Sequence, residues 1–178
     1  MDDPFVERLK ELFKAKDTGA MAALRRGLGK PPGSAAEMHR YVVPFLSARQ
    51  SPRDDDSLYL LASLFAFWHQ GKKKAPDDSP ENIGASLSTL RDESDSIEKR
   101  FVALLNSHVD DLPNHLRHAI GLLKGKDVAV NWTKLLRDLR GWDHDARYVQ
   151  RAWARGFWRA PPEDAALSGE TASQTPMP

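Results

Sequence analysis

Residues 58–68 read LYLLASLFAFW, and this stretch decides the fold. Its apolar side chains cover every face of a helix, so a helix here has no side to offer to water and must be central, with others packed around it. The run falls well short of the roughly 20 apolar residues that cross a bilayer. Upstream, Asp54-Asp55-Asp56 suits the positive end of the helix dipole. Downstream, Gly71 closes the element.

The segments on either side repeat the helical period. Asp3-Pro4 starts a helix with Phe5, Leu9, Leu12 and Phe13 inward. A short one follows Asp17-Thr18, with Met21, Leu24 and Leu28 inward, and ends at Gly27 and Gly29. After the rigid turn Lys30-Pro31-Pro32-Gly33, Ser34 and Glu37 have the spacing of a capping box, for a helix that Pro44 must kink or end. Lys72–Glu81 is an exposed loop, followed by a weaker helix through Ile83, Leu87 and Leu90. Asp95 with Glu98 offers a capping pair for a helix burying Ile97, Phe101, Leu104 and Leu105. Asp111-Leu112-Pro113 starts the next, with Leu116, Ile120 and Leu123 inward and Gly125 past its end. Asn131 caps a helix bearing Trp132, Leu135, Leu136 and Leu139, stopped by Gly141. The last helix follows Asp145 and buries Tyr148, Val149, Ala152, Trp153 and Phe157.

No segment alternates apolar and polar residues with β-branched enrichment. The expected fold is all-α, a compact bundle of about eight or nine short helices around the central one. Residues 1–160 form one helical domain, with 1–92 and 93–160 as candidate halves, and residues 161–178 are a low-complexity tail expected to be flexible.

The chain has 178 residues and no cysteine, which excludes disulfide scaffolds, Cys-ligated zinc, iron–sulfur clusters and thiol nucleophiles. The N-terminus MDDPFVERLKELF has neither the basic nor the apolar region of a signal peptide, so a cytoplasmic protein is expected. Its 26 Lys and Arg nearly balance its 25 Asp and Glu, for a net charge of +1. That balance is cancellation between regions: residues 1–50 carry +3, 51–96 carry −4, 97–160 carry +5 and 161–178 carry −3. Local potential is what a polyanion feels, so a cationic face is compatible with this total.

The strongest positional signal is Arg147, Arg151, Arg155 and Arg159, which recur every four residues and place guanidiniums along one helix edge. Lys134, Arg137 and Arg140 make a similar stripe, and Arg25-Arg26, Lys99-Arg100, Arg117 and Lys124 add cations on other helices. Such arrays can follow phosphates, each neutralised phosphate releasing counterions, or they can be ordinary solvated faces. His108, His115 and His118 lack a metal-site motif and read as surface or cap histidines. Asp143-His144-Asp145 reads as a helix start, and the glycines of 27–33 lack the strand and spacing of a phosphate loop. Trp158, between Arg155 and Arg159, is placed to stack on a base or a partner protein. No active site, metal site or cofactor site assembles.

Read together and in order, LRRGLGKPPG (24–33), YVVPFL (41–46), SLYLLASLFAF (57–67), IEKRFVALLNSHVDDLPNHLRHAIGLL (97–123), VNWTKLLRDLRGW (130–142) and VQRAWARGFW (149–158) resemble the CasB family, the small subunit of the type I-E CRISPR effector complex Cascade. The resemblance implies a non-catalytic helical subunit that packs with a second copy of itself. Its other partners would be the large PAM-reading subunit, the guide-RNA-binding backbone subunits, CRISPR RNA and target DNA. It also implies that basic side chains hold the displaced non-target strand and support the guide–target duplex. Carried over residue by residue, the nucleic-acid-binding positions are Arg25, Arg26, Arg53, Lys99, Arg100 and Arg117, with Arg147 and Arg151 matched more loosely. No cofactor or metal is implied. The rival expectations are a purely structural helical scaffold whose charges dock proteins and, more distantly, a helix-turn-helix regulator reading one duplex sequence.

Overall fold

A computed structural model describes residues 3–47, 50–74 and 81–159. The expected flexible tail at 161–178 and residues 75–80 of the expected loop lie outside them. The described residues are helical with no strand. In chain order the α-helices are α1 (Pro4–Lys14), α2 (Thr18–Arg25), α3 (His39–Val42), α4 (Pro52–Trp68), α5 (Ile83–Ser88), α6 (Asp95–Asn106), α7 (Leu112–Gly125), α8 (Trp132–Arg140) and α9 (Tyr148–Trp158). None is long and apolar enough to cross a membrane.

α4 is the axis, as its sequence requires. Leu58, Leu61, Ala62, Leu64, Phe65, Ala66 and Trp68 are all buried, and α1, α2, α3, α7 and α8 pack around them. The helix begins earlier than its acidic triplet suggested. Ser51 is the N-cap, accepting from the Asp54 amide at 3.2 Å, while the Asp54 carboxylate accepts from the Ser51 amide at 3.1 Å. The acids therefore lie in the first turn, where they still complement the dipole.

A second close packing joins α5 to α9. Gly84 and Gly156 make it possible. A Cβ on Gly84 would collide with the carbonyl of Trp153, and one on Gly156 would meet Asn82 Oδ1 at 2.7 Å and the Ala85 amide nitrogen at 2.8 Å. Asn82 serves both helices, capping α5 through the Ala85 amide at 3.1 Å and donating to the Ala152 carbonyl of α9 at 3.1 Å.

Four local expectations are corrected. Ser34 and Glu37 form no capping box: the Ser34 hydroxyl donates to Pro31 O at 2.7 Å, and Glu37 turns to Arg26. The segment is broken into two 3-10 turns around the four residues of α3, with Pro44 inside the second. The cap of α6 is Ser94, one residue before Asp95. Gly125 is the last residue of α7 rather than the one past its end. Tyr148, expected inside, is 50% exposed, because α9 turns Val149, Trp153 and Phe157 inward from a start at Arg147.

Candidate nucleic-acid interface

Three elements bring cations to one seam. α2 ends in Arg25, followed directly by Arg26 and a turn through Gly29. α7 carries Arg117, Gly121 and Lys124, a spacing that puts them on one face. Gly29 has a left-handed φ of +73°, and the Arg117 guanidinium fills the space where a side chain there would sit. Gly121 lies against Phe67 of α4, over whose ring the Lys124 ammonium rests at 4.5 Å from the centroid. Lys72, after the left-handed turn at Gly71, places its ammonium 4.1 Å from the Trp68 ring centroid and pairs with Asp127.

Lys124 has no carboxylate partner among the described residues. Its ammonium reaches only Gln70 Oε1, at 3.4 Å. Burial lowers its pKa below the ordinary lysine value, and the neighbouring Lys72 and Arg25 charges lower it further. Arg25, Arg117, Lys72 and Lys124 therefore form a cationic seam across α2, α4 and α7 with Asp127 as its ion-paired acid. Arg26 stands beside it, engaged with Glu37, whose pKa is lowered by a backbone hydrogen bond first and by Arg26 second.

The seam gathers Arg25 and Arg117 of the expected positions, with Arg26 beside it, and leaves the others elsewhere. Arg53 forms an ion pair with Asp143 across a cleft of about 490 Å³, tying the first turn of α4 to the loop before α9. Lys99 and Arg100 are exposed on α6, Arg100 beside a smaller crevice facing a different side of α7. Arg147 is not on the helix edge. It occupies the N-cap of α9 with a left-handed φ of +48°, and its Nη2 donates to Leu105 O at 2.6 Å. Arg151, Arg155 and Arg159 are exposed on or just after α9. Tyr148 and Trp158 stand at the two ends of that array, Trp158 with its indole N–H 3.3 Å from Glu98 Oε1.

The α8 stripe resolves into internal pairing. Lys134 pairs at 2.6 Å with the buried Asp138, which also accepts from Trp153 Nε1 at 2.7 Å, and Arg140 reaches Asp3 and Asp54. His108 and His144 each accept a backbone N–H from two residues ahead. Among the described residues no group of three or more His, Asp or Glu is placed to hold a metal ion.

Lys72 and Lys124 were both missing from the expected nucleic-acid-binding positions, Lys124 standing in the sequence only as one more isolated cation. The readable signal for Lys124 was its spacing from Arg117 across Gly121. Nothing local in the sequence announced Lys72, since its position depends on the fold of the turn at Gly71.

The chain is similar to known proteins over most of its length. Residues 20–158 match the family model described as CRISPR-associated protein Cse2. A CRISPR-associated protein Cse2 of Thermus thermophilus is 36% identical over 164 residues, covering 88% of this chain and 89% of that protein. The crystal structure of CasB from Thermus thermophilus is similar with a TM-score of 0.75 at 33% identity, over 88% of this chain and 96% of that one. A chain of a CRISPR RNA-guided surveillance complex is similar with a TM-score of 0.74 at 29% identity, over 87% of this chain and 90% of the other.

Proposed function

Because this chain belongs to the CRISPR-associated Cse2 family, we propose that it is a non-catalytic subunit of a CRISPR RNA-guided surveillance complex that grips nucleic-acid backbone to stabilise the R-loop. Its partners in this reading are the other Cascade subunits, CRISPR RNA and target DNA. One observation carries the proposal: the fold seats Lys72 on the Trp68 ring, Lys124 on the Phe67 ring and Arg117 against Gly29, and the Lys124 pKa is lowered by burial first and then by Lys72 and Arg25. A fold that holds like charges together in this way is complementary to a polyanion, whose phosphates turn the mutual repulsion into attraction. Guide pairing reads the sequence, so such a subunit needs only sequence-independent contacts, and an R-loop close to energetic balance is tipped by a few of them.

The test is charge reversal in the assembled complex. Arg25→Glu, Arg117→Glu and Lys124→Glu together should shorten R-loop lifetime at least about tenfold and flatten the salt dependence by about 0.7–0.9 per phosphate lost. An unchanged lifetime in a fully assembled complex would remove the seam from the function.

A second reading applies to α9. Exposed Tyr148 and Trp158 flanking Arg151 and Arg155 have the composition of protein-interface hot spots. There the charges serve docking to neighbouring subunits. Arg151→Glu with Arg155→Glu should then reduce co-purification of the complex while leaving its DNA affinity intact once formed.

A further inference from the structure

α7 has two functional sides. Arg117 faces the seam, while His115 and His118 line a crevice against α6, together with Arg100. The crevice holds about 200 Å³, floored by Phe101, Leu104 and Leu122. No carboxylate is among its lining residues, and the side chains of Arg100, His115 and His118 make no hydrogen bond or ion pair among the described residues.

We propose that this crevice receives one unpaired nucleobase of a bound single strand, with Arg100 on the adjoining phosphate; this rests on the nucleic-acid reading above. Its chemistry selects an occupant that is apolar at one end and anionic at the other. The volume is below the 300–1,000 Å³ of pockets for drug-sized ligands but admits a planar ring system. Apolar walls favour the base faces, the imidazoles offer ring faces and N–H donors to its edge, and the guanidinium matches a phosphate. Paired bases cannot enter, so the crevice discriminates single strand from duplex. An acidic peptide shares the charge, but the crevice adjoins the seam through a single helix about 10 Å across, within reach of a strand held there. Sequence tolerance follows, because every base has a face to bury.

The experiment compares the full-length protein binding a ten-nucleotide thymidine strand and a strand of equal length with abasic sugars, at low salt. The wild type should prefer the thymidine strand by at least about fivefold. Ala103→Trp fills the crevice from an exposed position without removing a charge, and His115→Ala with His118→Ala removes the imidazoles. Each should bring the ratio to near one while preserving the salt slope. Should Ala103→Trp fail to fold, judged by circular dichroism, the histidine variant carries the test alone. A ratio near one in the wild type, with salt-dependent binding of both strands, overturns the crevice and leaves the seam standing. A ratio that survives in the variants also overturns it, and binding of neither strand removes both readings. A glutamate-rich peptide bearing phenylalanine that competes for the crevice, with a strand ratio near one, would assign it to a protein partner instead.

Discussion

Lys124 shows at the scale of one residue how the fold holds like charges together. Its protonated form is disfavoured in the folded protein, by burial first and then by Lys72 and Arg25. A folded pKa below the unfolded one means that this cost is present at neutral pH and is relieved as pH rises through the lowered value. Lys124→Met keeps an apolar stem over Phe67 and deletes the charge. Its expected signature is an equal or higher Tm by differential scanning fluorimetry at pH 7, with affinity for single-stranded DNA lowered about three- to tenfold by fluorescence anisotropy. The melting difference should shrink as pH rises past the lowered pKa and disappear only above the ordinary lysine value. Arg140 and Lys134 make the contrasting case. Both are as prominent in the sequence as Lys124, yet Asp3, Asp54 and Asp138 engage them, the last from inside the core. Which cation is left for a ligand is decided by the acids that the fold brings within reach.

Among the elements, the helices were legible where their signals are local. Asp3, Asp17 and Asn131 accept N–H bonds at helix starts, satisfying donors that a first turn leaves unpaired, whereas the Asn82 cap of α5 showed only in the structure. Ser34 and Glu37 had equally good spacing, but their segment lies between Pro31-Pro32 and Pro44 and gains no more than the single α-helical turn of α3. The α5–α9 crossing was invisible in the sequence, because an isolated glycine in a helical pattern reads as a weakness. Here it is where two backbones touch. Gly84→Ala drives a methyl group into the Trp153 carbonyl, which cannot rotate away. A loss of about 2–3 kcal/mol is expected, read as a Tm fall of about 5–10 °C. A smaller fall than about 2 °C would show that the crossing relaxes.

At the scale of the whole molecule, near-neutrality and a polyanion partner are compatible because the charges are sorted in space. Much of the cationic content ties the bundle together, through Arg53 to Asp143, Arg140 to α1 and α4, and Lys126 to Glu93. The seam concentrates only a few of the remaining cations. Free protein should therefore bind single-stranded DNA weakly, with a slope of log affinity against log salt of about −2 to −3, as four contacts at about 0.7 each require. A slope near about −6 would mean that α9 and α6 join the same interface.

The sequence by itself determined the helical class, the buried central helix, most helix starts, the family and the cationic blocks. Periodicity, caps and ordered motifs act over a few residues, so they survive without a fold. The tertiary structure alone decided which cations are spent and which are gathered, that Tyr148 faces outward, and that Gly84 and Gly156 carry a helix crossing. Those outcomes depend on partners far apart in the chain, such as Arg53 with Asp143 and Lys72 with Asp127. Ion pairing and close packing act through distance in space, which helical spacing along a sequence does not encode.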